Sequence, residues 1–379
     1  MSGIQSKIDT VKDEEGSYSD ESIYNISSFG TDLSFREVIT MYDEGDLEKP
    51  ELQRKYVWSK NEASRFIDSL LLGLPVPSIF LAKTSNNKRL IVDGYQRIMT
   101  VYDFVKGIFS GDGKVFKLSN SDNINENWRG KAYQELSDDQ KRIIRTSPIH
   151  AIVFEQKQPC DDTGMYQIFE RINTSGRVLK PQEIRNCVYH GKFNSLLFEL
   201  NKLDIWRKIV GDKEEDSRMA DVELILRFYA FVNIAKSEEI KQTQINLSKY
   251  LNTFMGRFCN IDNKQKQSFT NLFVNTMTEL YNLLGDKLFK TTRVLKGENV
   301  FAQKINPVVL DAVCTSTAFV LDKYDFKEES KRSFIKKYID LLENEEFIKV
   351  TTQRTTNINN IKARINIATK ILYGVKYEW

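Results

Sequence analysis

The stretch Leu90-Ile-Val-Asp-Gly-Tyr-Gln-Arg-Ile-Met-Thr-Val-Tyr-Asp-Phe104 constrains this chain more than any other. Leu90 to Val92 is a short apolar run that reads as a buried strand, and Asp93-Gly94 is a turn pair. Beyond it Ile98, Val101, Tyr102 and Val105 recur at i, i+3, i+4 and i+7, the spacing of one helix face. A strand that turns through glycine into a helix presents backbone N–H groups without intrahelical acceptors, and these favour an anion. Arg97 falls in the first helical turn, where a cation opposes the helix dipole, so its position calls for an anion nearby. Asp93, Gln96 and Arg97 thus form a compact polar group on an apolar frame. On spacing alone, a plain structural turn satisfies the same stretch equally well.

The remaining pattern divides the chain. Residues 1–30 are polar and acidic and read as a loosely attached leader. Ser34-Phe-Arg-Glu37, Ser59-Lys-Asn-Glu62 and Ser137-Asp-Asp-Gln140 are capping-box patterns, each opening a helix. The second of these helices carries Phe66, Ile67, Leu70 and Leu71 on one face and ends at Gly73. Between the first two lies an extended segment with Gln53, Arg54, Tyr56 and Trp58. Ser78 to Ala82 and Leu90 to Val92 read as a hairpin turning at Asn86-Asn87, and Ile149 to Phe154 as a further strand. Residues 107–135 read as a loop-rich insertion with an extra hairpin near Val115 to Leu118. A short helix is expected over 162–172, then a turn from Asn173 to Gly176, then a helix beginning at Pro181 and stabilised through Glu183. From about residue 195 strand signals stop and helical patterns run to the end. The expected architecture is an α+β domain over 31–195 followed by an all-helical domain over 196–379.

Composition narrows the function classes. The net charge of +3 conceals a net of −8 over residues 1–50 and +11 over the rest, so the body admits nucleic-acid contact without demanding it. Four dispersed cysteines without a CxxC pair fit a reducing cytoplasm and argue against a disulfide frame or zinc site. Two histidines, His150 and His190, are too few for a histidine metal centre or a Ser-His-Asp triad. No apolar run approaches the roughly 20 residues of a membrane helix, and the N-terminus lacks the apolar core of a secretory signal. A cytoplasmic protein without a membrane partner is therefore expected.

Three polar groups on separate elements could meet in one cleft. They are Gln53/Arg54 with Tyr56 and Trp58; Asp93/Gln96/Arg97; and Arg171/Asn173/Thr174/Gly176 with Glu183/Arg185/Asn186. Arginine grips phosphate through parallel N–H bonds, and one or two carboxylates plus phosphate oxygens suffice for a hydrated Mg²⁺, which makes Asp93 the candidate metal ligand. Tyr56 and Trp58 are candidates for stacking on a base, although either ring serves equally well as core.

These three motifs, in this order, resemble the N-terminal domain of GmrSD-type modification-dependent restriction systems, a prokaryotic family with a ParB/sulfiredoxin-like fold and an Asp-Gly-Gln-Gln-Arg hallmark. Arg218 to Phe228 is similar to the helical part that follows it there. The resemblance implies binding and hydrolysis of a nucleoside triphosphate that regulates DNA attack in phage defence. It places Asp93, Gly94, Gln96 and Arg97 at a phosphate and Mg²⁺ corner, with Asp93, Gln96 and Arg97 as the catalytic candidates. Gln53, Arg54, Tyr56, Trp58 and Tyr95 line the implied cleft, Arg171, Asn173, Thr174 and Gly176 close it, and Arg185 is a phosphate or supporting contact. Two departures bear on activity. Tyr95 stands where the family has its first Gln, which leaves hydrolysis open while binding survives. No His-Asn-His nuclease half is expected with only His150 and His190 present.

Three readings follow. The first is a nucleotide-dependent regulatory module, an NTPase if turnover survives, acting with a separate nuclease or other effector. The second is a non-catalytic DNA-binding or adaptor protein on a ParB-like scaffold. The third, a metal-dependent DNA nuclease, suffers from few clustered carboxylates. The helical tail is a candidate for self-association.

Overall fold

The computed structural model of the 379-residue chain describes residues 7–9, 25–49, 56, 58–84, 87–158, 166, 168, 180–189, 191–216, 218–236, 243–295 and 298–377. The chain divides into two compact units, Ser22–Val188 and Tyr189–Trp379, the latter together with Met1–Glu21.

The first unit is built on a five-stranded mixed sheet. Its elements are β1 (Asn25–Ser34), α1 (Phe35–Asp43), β2 (Leu47–Glu48), α2 (Lys60–Leu71), β3 (Ile79–Lys83), β4 (Arg89–Asp93), α3 (Tyr95–Lys106), α4 (Asp138–Thr146), β5 (Pro148–Gln158) and α5 (Pro181–Val188). The spatial order is β1-β5-β3-β4-β2. β1 runs antiparallel to β5 and β4 to β3, whereas β3 and β5 are parallel, as are β2 and β4. The hairpin of β3 and β4 and the strand β5 lie where the alternating apolar residues place them. β1 does not: its residues 25–30 fall in the stretch read as leader from its polar, acidic character, yet β1 pairs with β5 in register from Ile26 opposite Gln156 to Ser34 opposite Pro148. Tertiary pairing overrides weak local propensity here. Ile8, also in the supposed leader, is buried and bridges to Ile305 within the second unit.

Local chemistry sets the helix starts. Ser34, Ser59 and Ser137 each accept a hydrogen bond from the N–H three residues on, and Glu37, Glu62 and Gln140 reach back to the capping residue, completing three capping boxes. Glu183 accepts from the Lys180 N–H at 2.6 Å, so α5 takes its N-terminal stabilisation from the position the sequence indicates. α2 buries Phe66, Ile67, Leu70 and Leu71, and Gly73 follows it at φ +71°.

The 107–135 insertion holds no regular hairpin. Isolated bridges join Ile108 to Val115 and Lys117 to Ala132, while Phe109, Phe116, Leu118, Ile124, Trp128 and Tyr133 sink into the core. Each large apolar side chain so buried contributes about 1.5–3 kcal/mol. Polar ties fix the loop to α2: Trp128 Nε1 and the Asn125 N–H both donate to Asp68 Oδ1, at 2.7 and 3.0 Å, and the Ser119 N–H donates to Ser64 Oγ at 2.8 Å.

The second unit is largely helical: α6 (Lys192–Asn201), α7 (Asp204–Val210), α8 (Ala220–Lys236), α9 (Leu247–Phe258), α10 (Asn263–Leu284), α11 (Pro307–Val320), α12 (Lys331–Glu343), α13 (Glu345–Thr352) and α14 (Ile358–Tyr373). It also contains a two-stranded hairpin, β6 (Thr292–Leu295) and β7 (Glu298–Phe301), which the helical reading of this half does not anticipate. α11 is buried on nearly every face, as its apolar sequence requires. The carboxylate it carries, Asp311, is answered by Arg227 of α8 at 2.7 Å and Arg364 of α14 at 3.5 Å. The ring of Phe231 meets both guanidinium groups. Among the described residues, no helix is long and apolar enough to cross a membrane.

Candidate functional site

Gly94 is the N-cap residue of α3, and its conformation shapes the corner. At φ +97° it occupies the left-handed region that β-carbons disfavour. A Cβ there would lie 2.3 Å from Ile79 Cγ2, so the turn also demands the close approach to β3 that only glycine permits. Lacking a side chain, Gly94 gives α3 no side-chain cap, unlike the serines that begin α1, α2 and α4.

Asp93 ends β4, opposite Phe80 and beside a bulge between Phe80 and Leu81. Its Oδ2 accepts from Arg97 Nη2 at 2.7 Å, and the same Nη2 reaches the Ser78 carbonyl at 3.2 Å. The anion that the position of Arg97 calls for is thus supplied by the chain itself, one helical turn earlier. Arg97 Nε is buried and finds no acceptor among the described residues. Asp93 Oδ1 has no hydrogen-bond partner there either, and the side chain is 31% exposed. Gln96 Oε1 accepts from the Trp58 N–H at 3.3 Å, which ties the segment before α2 to the start of α3.

Not every expected residue faces this corner. Tyr56 is buried; its hydroxyl donates to Thr100 Oγ1 at 2.6 Å, since the Thr100 hydroxyl itself donates to the Gln96 carbonyl, and its ring packs edge-on to Phe109. It is a core residue and not a stacking surface, because no open ring face remains. Trp58 is half-buried with its ring edge-on to Phe66. Tyr95 is also buried, and desolvation pushes its hydroxyl up to about 12, so it holds its proton at neutral pH. Arg185 is buried within α5, donating to Gln182 and lying over the Tyr166 ring. Gln53, Arg54, Arg171, Asn173, Thr174 and Gly176 lie outside the described residues.

The corner therefore gathers Asp93, Gly94, Gln96, Arg97 and the Trp58 backbone. It adds three contributors that the motifs did not name: the Ser78 carbonyl, Ile79 and Thr100. Thr100 bonds the Gln96 carbonyl at 2.7 Å, and its i+4 spacing from Gln96 was a usable signal. The Ser78 and Ile79 contacts come from strand pairing and have no local signature. A further carboxylate, Asp103, is buried and accepts from the Ser110 N–H and hydroxyl at 2.7 and 2.9 Å; burial raises its pKa.

Residues 35–190 match the family described as GmrSD restriction endonuclease, N-terminal domain, and the match spans the whole corner. This segment is a GmrSD-type N-terminal domain. Comparisons with curated proteins and with solved structures found no match. In this GmrSD-type domain the hallmark stretch is Asp93-Gly94-Tyr95-Gln96-Arg97, with Tyr95 turned into the core. The chain thus carries a domain characteristic of restriction systems. Among the described residues, no group of three or more His, Cys, Asp or Glu side chains is disposed to hold a metal ion by itself. A Mg²⁺ at Asp93 would fit only as an ion carried largely by phosphate oxygens and water, with Oδ1 as the protein ligand.

Proposed function

We propose that the Asp93–Arg97 corner binds the phosphates of a nucleoside triphosphate with Mg²⁺, and that the chain is the nucleotide-responsive regulatory module of a DNA-directed restriction system that works with a separate effector. The observation that carries this reading is the start of α3. A glycine with no capping side chain opens a 12-residue helix at a strand end, beside a carboxylate with one oxygen unpartnered among the described residues. Helix starts of this kind attract phosphate through backbone N–H groups and the dipole.

Each residue has a role. Gly94 keeps the approach to the helix start open. Arg97 holds Asp93 and the end of β3 in place, and Asp93 Oδ1 is the ligand for Mg²⁺. The ion, when bound, screens the phosphate charge that would otherwise repel Asp93. Tyr95 supplies no base at neutral pH, since burial keeps its hydroxyl protonated, and the proposal is accordingly for binding ahead of turnover. A thermal-shift panel of the nucleoside triphosphates with Mg²⁺ tests it. At about 100 times Kd a ligand adds about 2.7 kcal/mol, so one base should raise Tm by several degrees. No shift for any triphosphate at millimolar concentration would overturn the reading.

A further inference from the structure

Away from the start of α3, the insertion between α3 and α4 forms one wall of an open groove of about 800 Å³. Its lining includes four cations, Lys60, Lys117, Arg129 and Lys131, against one acid, Glu135. The groove is held open by the backbone. The Leu118 N–H donates to the Lys131 carbonyl at 3.0 Å, Ser119 is tied to Ser64 of α2, and Lys117 bridges to Ala132. Arg129 is part of this frame: its Nε and Nη2 both donate to the Ile124 carbonyl, at 3.0 and 2.9 Å, and Nη1 meets Asp122 at 2.8 Å.

The three lysines are differently placed. Lys131 Nζ bonds a neutral carbonyl, that of Asn127, at 2.7 Å, and its charge is felt by Glu135 without a direct ion pair. Lys117 pairs with Glu135 at 3.1 Å, but both side chains are about half exposed, so the pair is weak and exchangeable. Lys60 has no side-chain partner among the described residues. The chemistry of the lining selects the occupant. The groove is too open to enclose a small anion. No aromatic side chain lines it, so it offers no platform for unstacked bases. Leu118 is its one large apolar side chain, so it lacks the pockets by which a peptide is read. What remains is a group of lysines with the neutral groups of Ser119 and Asn120, a set suited to the phosphates of a strand whose bases are already paired.

We propose that this groove is a sequence-independent seat for the phosphodiester backbone of a nucleic-acid duplex. It stands independently of the nucleotide reading, because none of its residues belongs to the Asp93–Arg97 corner. The test uses the full chain and a fluorescent DNA duplex of arbitrary sequence across a salt series. In Lys60→Gln/Lys117→Gln/Lys131→Gln, with Arg129 left intact to hold the loop, duplex affinity near 50 mM salt should fall about tenfold or more, and the slope of log K against log salt should shrink by about 3. Its melting temperature and any triphosphate-induced shift should stay as in the parent, whereas Asp93→Ala should retain duplex binding. Unchanged affinity and slope in the triple variant would overturn the proposal. So would absence of duplex binding by the parent, or more effective competition by single-stranded DNA, an acidic peptide or inorganic phosphate than by unlabelled duplex. If the triple variant melts early, Lys60→Gln/Lys131→Gln, which keeps the Lys117–Glu135 ion pair, reads the same loss in smaller measure.

Discussion

Two Arg–Asp pairs in this molecule have the same contact distance, 2.7 Å, and opposite meanings. Between Arg97 and Asp93 the side chains remain 14% and 31% exposed. Between Arg227 and Asp311 they are 4% and 0% exposed, with Arg364 completing a triad at the same carboxylate oxygen. The buried triad has surrendered its hydration to packing, so its members depend on each other. Removing one strands the charge of the rest. The Arg97–Asp93 pair keeps access to water, and Asp93 Oδ1 has no partner among the described residues, which is why we propose this pair, and not the triad, as the ligand site. Exposure and free valence, and not distance, separate a clamp from a site.

The largest test of this contrast is Asp311→Ala. Removing the carboxylate that Arg227 and Arg364 share should cost about 3–5 kcal/mol, measured by chemical denaturation, and a cost below about 1 kcal/mol would erase the distinction. Gly94→Val comes next. Adopting the left-handed conformation costs about 1–2 kcal/mol and displacing Ile79 about 1–3 kcal/mol more. Tm should fall by several degrees, and the nucleotide shift should vanish. Asp103 supplies an intermediate case, a buried aspartate answered by Ser110 instead of an arginine. Burial raises its folded pKa above the unfolded value of about 3.9. The folded state therefore holds the proton more tightly, and that stabilisation is complete below about pH 4 and is lost as pH rises through the folded pKa. Compared with Asp103→Asn, the parent should gain relative stability on going from pH 7 to pH 4, and a pH-independent difference in denaturation midpoint would refute this. The smallest effect on stability belongs to Asp93→Ala, about 1 kcal/mol or less, although it should abolish the Mg²⁺-dependent triphosphate shift in the same melting assay.

What could be read from the sequence was what neighbours decide. The three serine caps, the β3–β4 hairpin, the glycine turn at 94 and the Glu183-supported start of α5 each depend on residues within a few positions. The Asp93–Arg97 pair was within that reach too, at i,i+4, yet the same spacing fits an outward-facing ligand site, and only the geometry shows that Asp93 already answers Arg97. Long-range events were hidden. β1 is a polar segment made a strand by β5, and the triad of Arg227, Asp311 and Arg364 joins three helices. Tyr56 and Tyr95 carry polar tips that suit a site or a core equally, and burial decided for the core. The cationic groove escaped notice because Lys60 and the 117–131 loop are dispersed in sequence.

The seating of β5 between β1 and β3 bears on how the protein is made. On the ribosome, β3 and β4 emerge together and can pair at once, whereas β1 emerges first and must wait for β5 to complete its ladder. Throughout that interval the nascent chain carries an unmatched strand edge, the state most prone to wrong partners. Slowing translation between the codons for residues 106 and 148 would lengthen that wait. Synonymous rare codons placed there should lower soluble yield more than the same codons placed after β5.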